Sequence, residues 1–429
     1  MTFLNVTEIE SALIGLNNAY PRLTQLLPLP NPTHEGRRSH ALLIRGNPDF
    51  RCRPALVFVS GVHAREWGGP DILVNLAADL LEAYTAQPGL AYGAKTFTAA
   101  ELRGIVNRTD VVVFPDINPD GRAYSMGGTA GSNQAMWRKN RNPASGGGSS
   151  GRAGVDVNRN YDFLWDFQTK FSPLANPGTL ASAEPGSDIF HGTGPFSEPE
   201  ARNVQWLVDR FPRARYFVDV HSYAGDVLHP WGDDENQSTD PAKSFLNPAW
   251  DGKRGLAGDA YREYVPAARL AEITAAAAVI RDGINAVRNQ GYVSQQGFWL
   301  WGTATYPTSG ASEDWAFTRE FLNNPRGKLG GFCIEFNKNQ TFFPSWAEME
   351  DMILDVDAGL LNLCEYATPS WVQVIWCWKL SWWHRIADRF LTFWRRLFPP
   401  EIWGPYGPWT RIVRRLERVL ERFSAGRRG

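Results

Sequence analysis

The chain has 429 residues, of which 43% are hydrophobic and 21% are charged. This composition excludes a wholly disordered, collagenous or disulfide-scaffold protein. With 44 basic and 45 acidic side chains the formal charge is −1, which gives no reason to expect a nucleic-acid partner. The four cysteines form no CxxC pair, so we expect neither a disulfide framework nor a cysteine zinc site.

The charge is unevenly divided along the chain. Residues 369–429 carry 12 basic and 4 acidic side chains, a net charge of +8, and hold 8 of the 18 tryptophans. Residues 1–368 carry the other 32 basic and 41 acidic side chains, a net charge of −9. We therefore predict a globular domain over residues 1–368 and a basic, Trp/Arg-rich tail over residues 369–429.

Apolar patterns predict the elements of the domain in chain order. A first helix is expected from Thr7 to near Pro21, because Thr7 and Glu10 match a capping box. Continuous β-branched or aromatic runs predict buried strands at residues 55–60, 110–114, 216–220 and 332–336. Helical periodicity predicts helices at residues 71–84, 265–289 and 345–367, and Pro/Gly-rich composition predicts loops at residues 143–151, 171–195 and 226–258. This alternation predicts an α/β fold, a single domain with a mixed, mainly parallel sheet covered by helices.

Polar side chains occur where two predicted strands end. His63 and Glu66 follow the first strand at HxxE spacing, and His221 follows another. Two histidines and one glutamate are the ligand group of a catalytic zinc. On the residues alone, a surface ion pair at HxxE and a hydrogen-bonded core histidine at position 221 remain open.

Glu335 lies within an apolar strand. A carboxylate there is costly unless it is paired or used, so Glu335 is a candidate general base. A buried structural salt bridge is the alternative.

Seven motifs together resemble, in this order, the zinc carboxypeptidases of the pancreatic A/B type. They are GVHAREW (61–67), NPDG (118–121), WRKNR (137–141), GVDVNRNY (154–161), DVHSY (219–223), YPTSGASEDW (306–315) and CIEF (333–336). The resemblance runs from about Thr7 to Ala367, and the tail has no counterpart in the family. It implies the family's α/β/α fold.

The resemblance implies roles for the residues of these motifs. One Zn2+ per chain would be held by His63, Glu66 and His221, with Asp156 orienting His63. Glu335 would be the general base, and Arg138 would stabilise the negative charge that develops on the substrate oxygen.

The resemblance also implies how a substrate is held. Asn158, Arg159 and Tyr306 would bind the free α-carboxylate of a peptide, and Arg65 and Tyr223 would line the same cleft. Glu313 stands where the family has the residue at the base of its specificity pocket, and an acid there favours C-terminal Lys or Arg by charge complementarity. The competing interpretation is that Glu313 points away or pairs with a neighbouring base.

The predicted function is that of a zinc metallocarboxypeptidase, an exopeptidase hydrolysing the C-terminal peptide bond of a peptide with a free C-terminus. One alternative is a zinc hydrolase of a non-protein amide, such as a cell-wall peptide or an N-acyl amino acid. The other is a catalytically silent binding module of the same fold.

The tail is predicted to form amphipathic helices at residues 382–398 and 409–423, each with an apolar face and an arginine-rich face. Docking on the catalytic domain, self-association, docking on a partner, contact with a membrane surface and an extension without function all remain open. Glu8 and Glu10 lie where a secretory signal needs basic and apolar residues, so we expect a cytoplasmic protein, with peripheral membrane association through the tail as a further option.

Overall fold

The computed structural model describes residues 2–47, 53–86, 89–146, 153–299, 305–322, 327–370 and 373. Its contacts group Met1–Thr368 as one compact unit and Pro369–Gly429 as another. The predicted tail helices lie outside the described residues, so their amphipathic character stays a prediction.

The described residues form twelve strands and nine α-helices. The strands are β1 (Thr24–Pro28), β2 (His40–Ile44), β3 (Ala55–Ser60), β4 (Leu90–Tyr92), β5 (Lys95–Phe97), β6 (Asp110–Phe114), β7 (Ala214–Ser222), β8 (Asp226–His229), β9 (Asn236–Gln237), β10 (Glu263–Tyr264), β11 (Val293–Gln296) and β12 (Gly330–Phe336). The helices are α1 (Val6–Ala19), α2 (Gly69–Ala86), α3 (Ala99–Arg108), α4 (Pro119–Met126), α5 (Phe167–Lys170), α6 (Pro199–Arg210), α7 (Ala267–Arg288), α8 (Ser312–Thr318) and α9 (Trp346–Ala367).

Eight strands form one sheet in the order β1-β2-β6-β3-β7-β12-β8-β11. The four central strands β6, β3, β7 and β12 run parallel to one another. Strand β2 is antiparallel to both β1 and β6, and β8 is antiparallel to β12. The predicted α/β fold with a mixed, mainly parallel sheet is confirmed.

The central strands are the part of the core that the sequence signals most clearly. Strands β3 and β6 have the bounds predicted from their apolar runs, and every residue in them is buried. Continuous apolar strands of this kind need cover on both faces of the sheet. Helices α2, α3, α7 and α9 pack against one another, and α8 packs on β7 and β12.

Two local predictions differ from the structure. Helix α1 begins at Val6 because Asn5, not Thr7, caps it: the Asn5 side chain accepts from the backbone N–H of Thr7 and Glu8, and Glu8 accepts from that of Asn5. The predicted loop 226–258 begins with strand β8, which joins the main sheet beside β12. Its apolar segment is too short for a periodic signal.

Helix α9 follows its predicted capping box, in which the Ser345 and Glu348 side chains each accept from the other's backbone N–H.

Within the part of the chain that the structure describes, no helix combines the length and apolarity that crossing a bilayer requires.

Candidate metal centre and active site

The polar side chains of the site lie where three neighbouring parallel strands end. His63 and Glu66 lie in the turn after β3, and His221 lies near the end of β7. Glu335 in β12 is paired directly with His221 across the ladder. Adjacent parallel strands have their carboxyl ends at one edge of the sheet, so segments distant in sequence meet there.

The side chains of His63, Glu66 and His221 form a compact group of metal-ligating atoms, all within 4.8 Å of one another. His63 Nδ1 lies 2.7 Å from Glu66 Oε1 and 3.1 Å from His221 Nδ1. His221 Nδ1 lies 3.2 Å from Glu66 Oε2. Two imidazole nitrogens and one carboxylate match the donor set of catalytic zinc sites, which keep a further position for water. The three residues therefore fit a zinc ion.

Each histidine turns its other ring nitrogen toward a buried carboxylate. His63 Nε2 lies 3.4 Å from Asp156 Oδ1, and His221 Nε2 lies 3.2 Å from Asp219 Oδ2. Carboxylates in this position orient the imidazole and raise its basicity as a ligand. The structure thus places Asp156 beside His63, and it adds Asp219, which the sequence analysis missed.

Two carboxylates of the site are held in the charged form. Burial by itself would raise the pKa of Glu66, but His63 and His221 lower that pKa below its usual range. Burial also opposes ionisation of Asp156, yet Arg138 and His63 keep its pKa well below the usual range. Arg138 donates to Asp156 Oδ2 from Nε at 3.0 Å and from Nη2 at 2.9 Å. Asp156 therefore fixes a ligand histidine and a cleft arginine together.

The pKa of the Glu335 carboxyl group is shifted upward, in the opposite direction to those of Glu66 and Asp156. Burial, with a smaller contribution from Glu66, raises its pKa to about 8, although His221 and Arg138 oppose the change. A carboxyl group with a pKa near neutrality can both accept and return a proton at working pH.

An open cleft with a cavity volume of about 170 Å³ lies over this edge of the sheet. Of the predicted site residues, only Asp156 does not line it, because Asp156 is fully buried behind His63 and Arg138. The predicted residues that line the cleft are His63, Arg65, Glu66, Arg138, Asn158, Arg159, His221, Tyr223, Tyr306, Glu313 and Glu335.

Backbone oxygens hold the arginine that is predicted to bind a carboxylate. Arg159 donates from Nη1 to Asn158 O at 2.8 Å and from Nη2 to Thr179 O at 2.7 Å. Its Nε is buried and has no hydrogen-bond partner among the described residues. Asn158 is fixed in turn, since its Oδ1 accepts from Ser312 N at 2.8 Å.

A comparison with known protein families identifies the family of this chain. A family model described as zinc carboxypeptidase matches residues 9–355. The chain belongs to the zinc carboxypeptidase family. The resemblance carried by the seven motifs is confirmed.

Among curated relatives, the chain is similar to metallocarboxypeptidase A of Trichophyton tonsurans, with 33% identity over 204 residues, 47% of this chain and 41% of that protein. It is also similar to carboxypeptidase B of Astacus astacus, with 30% identity over 227 residues, 52% of this chain and 63% of that protein. The matches thus span less than two thirds of the length of either relative.

Solved structures share the fold of this zinc carboxypeptidase. Carboxypeptidase A from Helicoverpa armigera has a TM-score of 0.62 at 21% identity, covering 86% of this chain and 74% of that one. Bovine thrombin-activatable fibrinolysis inhibitor in complex with tick carboxypeptidase inhibitor has a TM-score of 0.59 at 18% identity, covering 85% and 97%.

One wall of the zinc carboxypeptidase cleft is aromatic, and its central residue was missed. The Arg65 guanidinium lies 4.4 Å from the centroid of the Phe342 ring, and the Tyr223 ring lies 4.6 Å from it. Phe342 follows β12 outside every recognised motif, so no sequence signal marked it. Asp219 did carry one: it lies two residues before His221 in a strand, where alternate side chains share a face.

Glu313, in the first turn of α8, also lines the cleft. Its side chain is buried, and burial raises its pKa. Leu228 and Cys333 lie nearby, with Tyr306 packed against both. Among the described residues, no basic side chain forms an ion pair with Glu313 within 4.0 Å, so the structure places this acid in the cleft without a cationic neighbour in contact.

Proposed function

We propose that this zinc carboxypeptidase hydrolyses the last peptide bond of peptides or proteins with a free C-terminus. One observation carries the proposal: the metal-ligand group, Glu335, Arg138 and the buried Arg159 line a single cleft. A zinc ion held by His63, Glu66 and His221 would polarise the scissile carbonyl and lower the pKa of a water molecule. The chain's own residues would perform the remaining steps.

Glu335 serves as the general base. It accepts a proton from the attacking water as the water oxygen bonds to the carbonyl carbon. It then returns that proton to the leaving amine as the C–N bond breaks, so one carboxylate serves both halves of the reaction. The pKa of about 8 allows both transfers near neutral pH.

Arg138 stabilises the charge that develops on the carbonyl oxygen of the substrate. The contacts of its Nε and Nη2 with Asp156 Oδ2 fix the guanidinium, so little reorganisation is needed when that charge appears. Preorganised donors of this kind typically contribute roughly a hundredfold to a thousandfold in rate.

Arg159 and Asn158, with Tyr306, support recognition of the α-carboxylate. A buried guanidinium held by two backbone oxygens still has charge to neutralise, and a carboxylate is its geometric complement. This arrangement favours a peptide with a free C-terminus over a non-protein amide that lacks a carboxylate. The presence of both Glu335 and the metal-ligand group speaks against a catalytically silent binding module.

A preference for C-terminal Lys or Arg is the finer part of the proposal. Glu313 is buried and lines the cleft, and no cation pairs with it among the described residues. A basic substrate side chain would supply that charge and allow the carboxylate to remain ionised. An aromatic side chain would leave it unpaired.

The activity is tested with blocked dipeptides ending in Arg, Lys, Phe, Leu or Glu, each as free acid and as amide. We expect release of the C-terminal residue from the free acids, loss of release with a chelator, and recovery with zinc. Absence of any chelator-sensitive release would refute the peptidase proposal. Amides hydrolysed as fast as acids would refute the role of Arg159.

The preference is tested with Glu313→Gln. Because a charge-assisted hydrogen bond contributes about 1.5–3 kcal/mol, the ratio of kcat/KM for Arg over Leu substrates should fall by roughly tenfold to a hundredfold. The control is Glu82→Gln, which removes one negative charge from the exposed side of α2. Wild-type preference for Phe over Arg would contradict the assignment.

A further inference from the structure

A second group of metal-ligating side chains lies outside the cleft, where α6 begins. It consists of His34, Glu198 and Glu200, and one ligand atom from each lies within 4.8 Å of the others. His34 Nε2 is 2.9 Å from Glu198 Oε2. Among the described residues, this is the one such group that shares no member with the cleft.

The turn that carries His34 is fixed to the rest of the domain. Thr33 Oγ1 donates to Asp120 Oδ1 at 2.8 Å, and Glu35 N donates to Asp120 Oδ2 at 2.8 Å. About a quarter of the His34 side chain is exposed, so the group can be reached from solvent. The imidazole is therefore presented by a rigid turn at the protein surface.

Glu200 is fully buried, and its Oε1 has no hydrogen-bond partner among the described residues. Its other oxygen accepts from Asn140 Nδ2 at 3.0 Å, and the same amide donates to Glu198 Oε2 at 2.8 Å. Burial raises the pKa of Glu200 to about 7. A buried carboxylate with an unpartnered oxygen, beside a second carboxylate and an imidazole, requires either a proton or a cation.

We propose that His34, Glu198 and Glu200 form a second divalent-cation site, suited to Zn2+, that is separate from the catalytic cleft. One imidazole nitrogen and two carboxylate oxygens are a donor set that zinc accepts. Binding displaces the Nε2 proton of a protonated His34 and the proton that Glu200 carries at lower pH, so those protons are released, whereas a neutral His34 binds with its hydrogen on Nδ1 and releases none.

The site's place in the fold indicates its role. Asn140 contacts both glutamates. Its Oδ1 also accepts a hydrogen bond from Val155 N at 2.8 Å, and its backbone N–H donates to Val155 O at 3.0 Å. It therefore joins the segment that carries Arg138 to the segment that carries Asp156. A cation bound to the two glutamates that Asn140 contacts would stabilise the positions of both segments without entering the cleft.

The experiment counts bound zinc. Apo full-length protein is equilibrated with buffered free Zn2+ and separated from unbound metal, and zinc per chain is measured by mass spectrometry. Four single variants and the double variant Glu66→Ala/His34→Ala accompany the wild type: His34→Ala and Glu200→Gln at the new group, Glu66→Ala in the cleft, and His40→Ala as a matched control. His40 also pairs with a single glutamate, Glu10, at 2.7 Å, but belongs to no metal-ligating group found among the described residues.

We expect two zinc ions per chain in wild type and His40→Ala, and one in each of the other three single variants. We also expect zinc to raise the Tm of Glu66→Ala but not of the double variant Glu66→Ala/His34→Ala. His34→Ala alters a partly exposed side chain, so its result stands even if Glu200→Gln folds poorly. One zinc in wild type that is lost in Glu66→Ala and kept in His34→Ala would overturn this site and leave the proposed function intact. Zinc lost in His34→Ala and kept in Glu66→Ala would instead refute the cleft metal.

Discussion

Replacing Asp219 with Asn isolates the effect of one buried charge on the metal centre. Asp219 Oδ2 lies 3.2 Å from His221 Nε2 and accepts from Ser312 Oγ at 2.8 Å. The amide oxygen of Asn can take both contacts, so the variant removes the charge and keeps the shape. A hydrogen bond to a charged acceptor contributes about 1.5–3 kcal/mol and a neutral one about 0.5–1.5 kcal/mol.

The difference of about 1–1.5 kcal/mol corresponds to roughly a tenfold weaker affinity for zinc. The new amide nitrogen would occupy the position of Asp219 Oδ1, which is buried without a partner among the described residues. That leaves an unsatisfied donor and lowers the free energy of unfolding by about 1–3 kcal/mol. This penalty is the same with and without metal, so it cancels in a zinc titration.

The assay is competition for zinc with a chelator of known affinity at neutral pH. Ser312→Ala is the control, because it removes a neutral donor to Asp219 and leaves the charge, and its zinc affinity should stay within about threefold of wild type. A folded Asp219→Asn protein that binds zinc as tightly as wild type would refute the role given to this carboxylate.

Four further predictions concern other parts of the molecule. Glu335→Gln should lower kcat by roughly a hundredfold to ten-thousandfold at unchanged zinc content; near-normal turnover would remove it from the mechanism. Burial raises the pKa of Asp234 to about 8, above its value in the unfolded chain, so the folded state binds the extra proton and stability should fall as pH rises from about 4 to 8. Urea midpoints across that range should show a shallower decline in Asp234→Asn, and an equal decline in both would contradict the shift. Gly331→Ala would place a Cβ 1.9 Å from the backbone oxygen of Glu313, so we expect a loss of roughly 1–3 kcal/mol or more in urea unfolding, and wild-type stability would contradict the packing. If residues 369–429 contact membranes, the full chain should float with anionic lipid vesicles, and a chain that ends at Thr368 should not. If both chains float or neither does, membrane contact through the tail is contradicted, and docking on protein is the alternative.

The central strands of the sheet could be predicted because their side chains are almost all apolar. Strands β3 and β6 are apolar throughout, since both faces are covered, and such runs have few alternative structures. Strand β1 shows why the edges were missed: only Leu27 in it is fully buried, so its sequence has neither a continuous nor an alternating apolar pattern.

The site could be predicted residue by residue only through the resemblance. HxxE spacing suggested a metal, but nothing in spacing alone showed that His221 and Glu335 would lie opposite each other in adjacent strands. Pairing between distant strands depends on the whole topology, which local patterns do not encode. Phe342 escaped for the same reason, because its contacts with Arg65 and Tyr223 exist only after the chain has folded. The catalytic roles of all these residues stay predictions until the variants above are measured.

The distribution of the site along the chain bears on when the protein becomes active during synthesis. His63 and Glu66 leave the ribosome early, His221 follows much later, and Glu335 is near the end of the domain. Because β12 lies between β7 and β8, the sheet has a gap at its centre until that last strand inserts. A partly synthesised chain therefore carries the candidate metal ligands before it carries Glu335, the proposed general base. Under the proposed function, hydrolysis would begin only after β12 has joined the sheet.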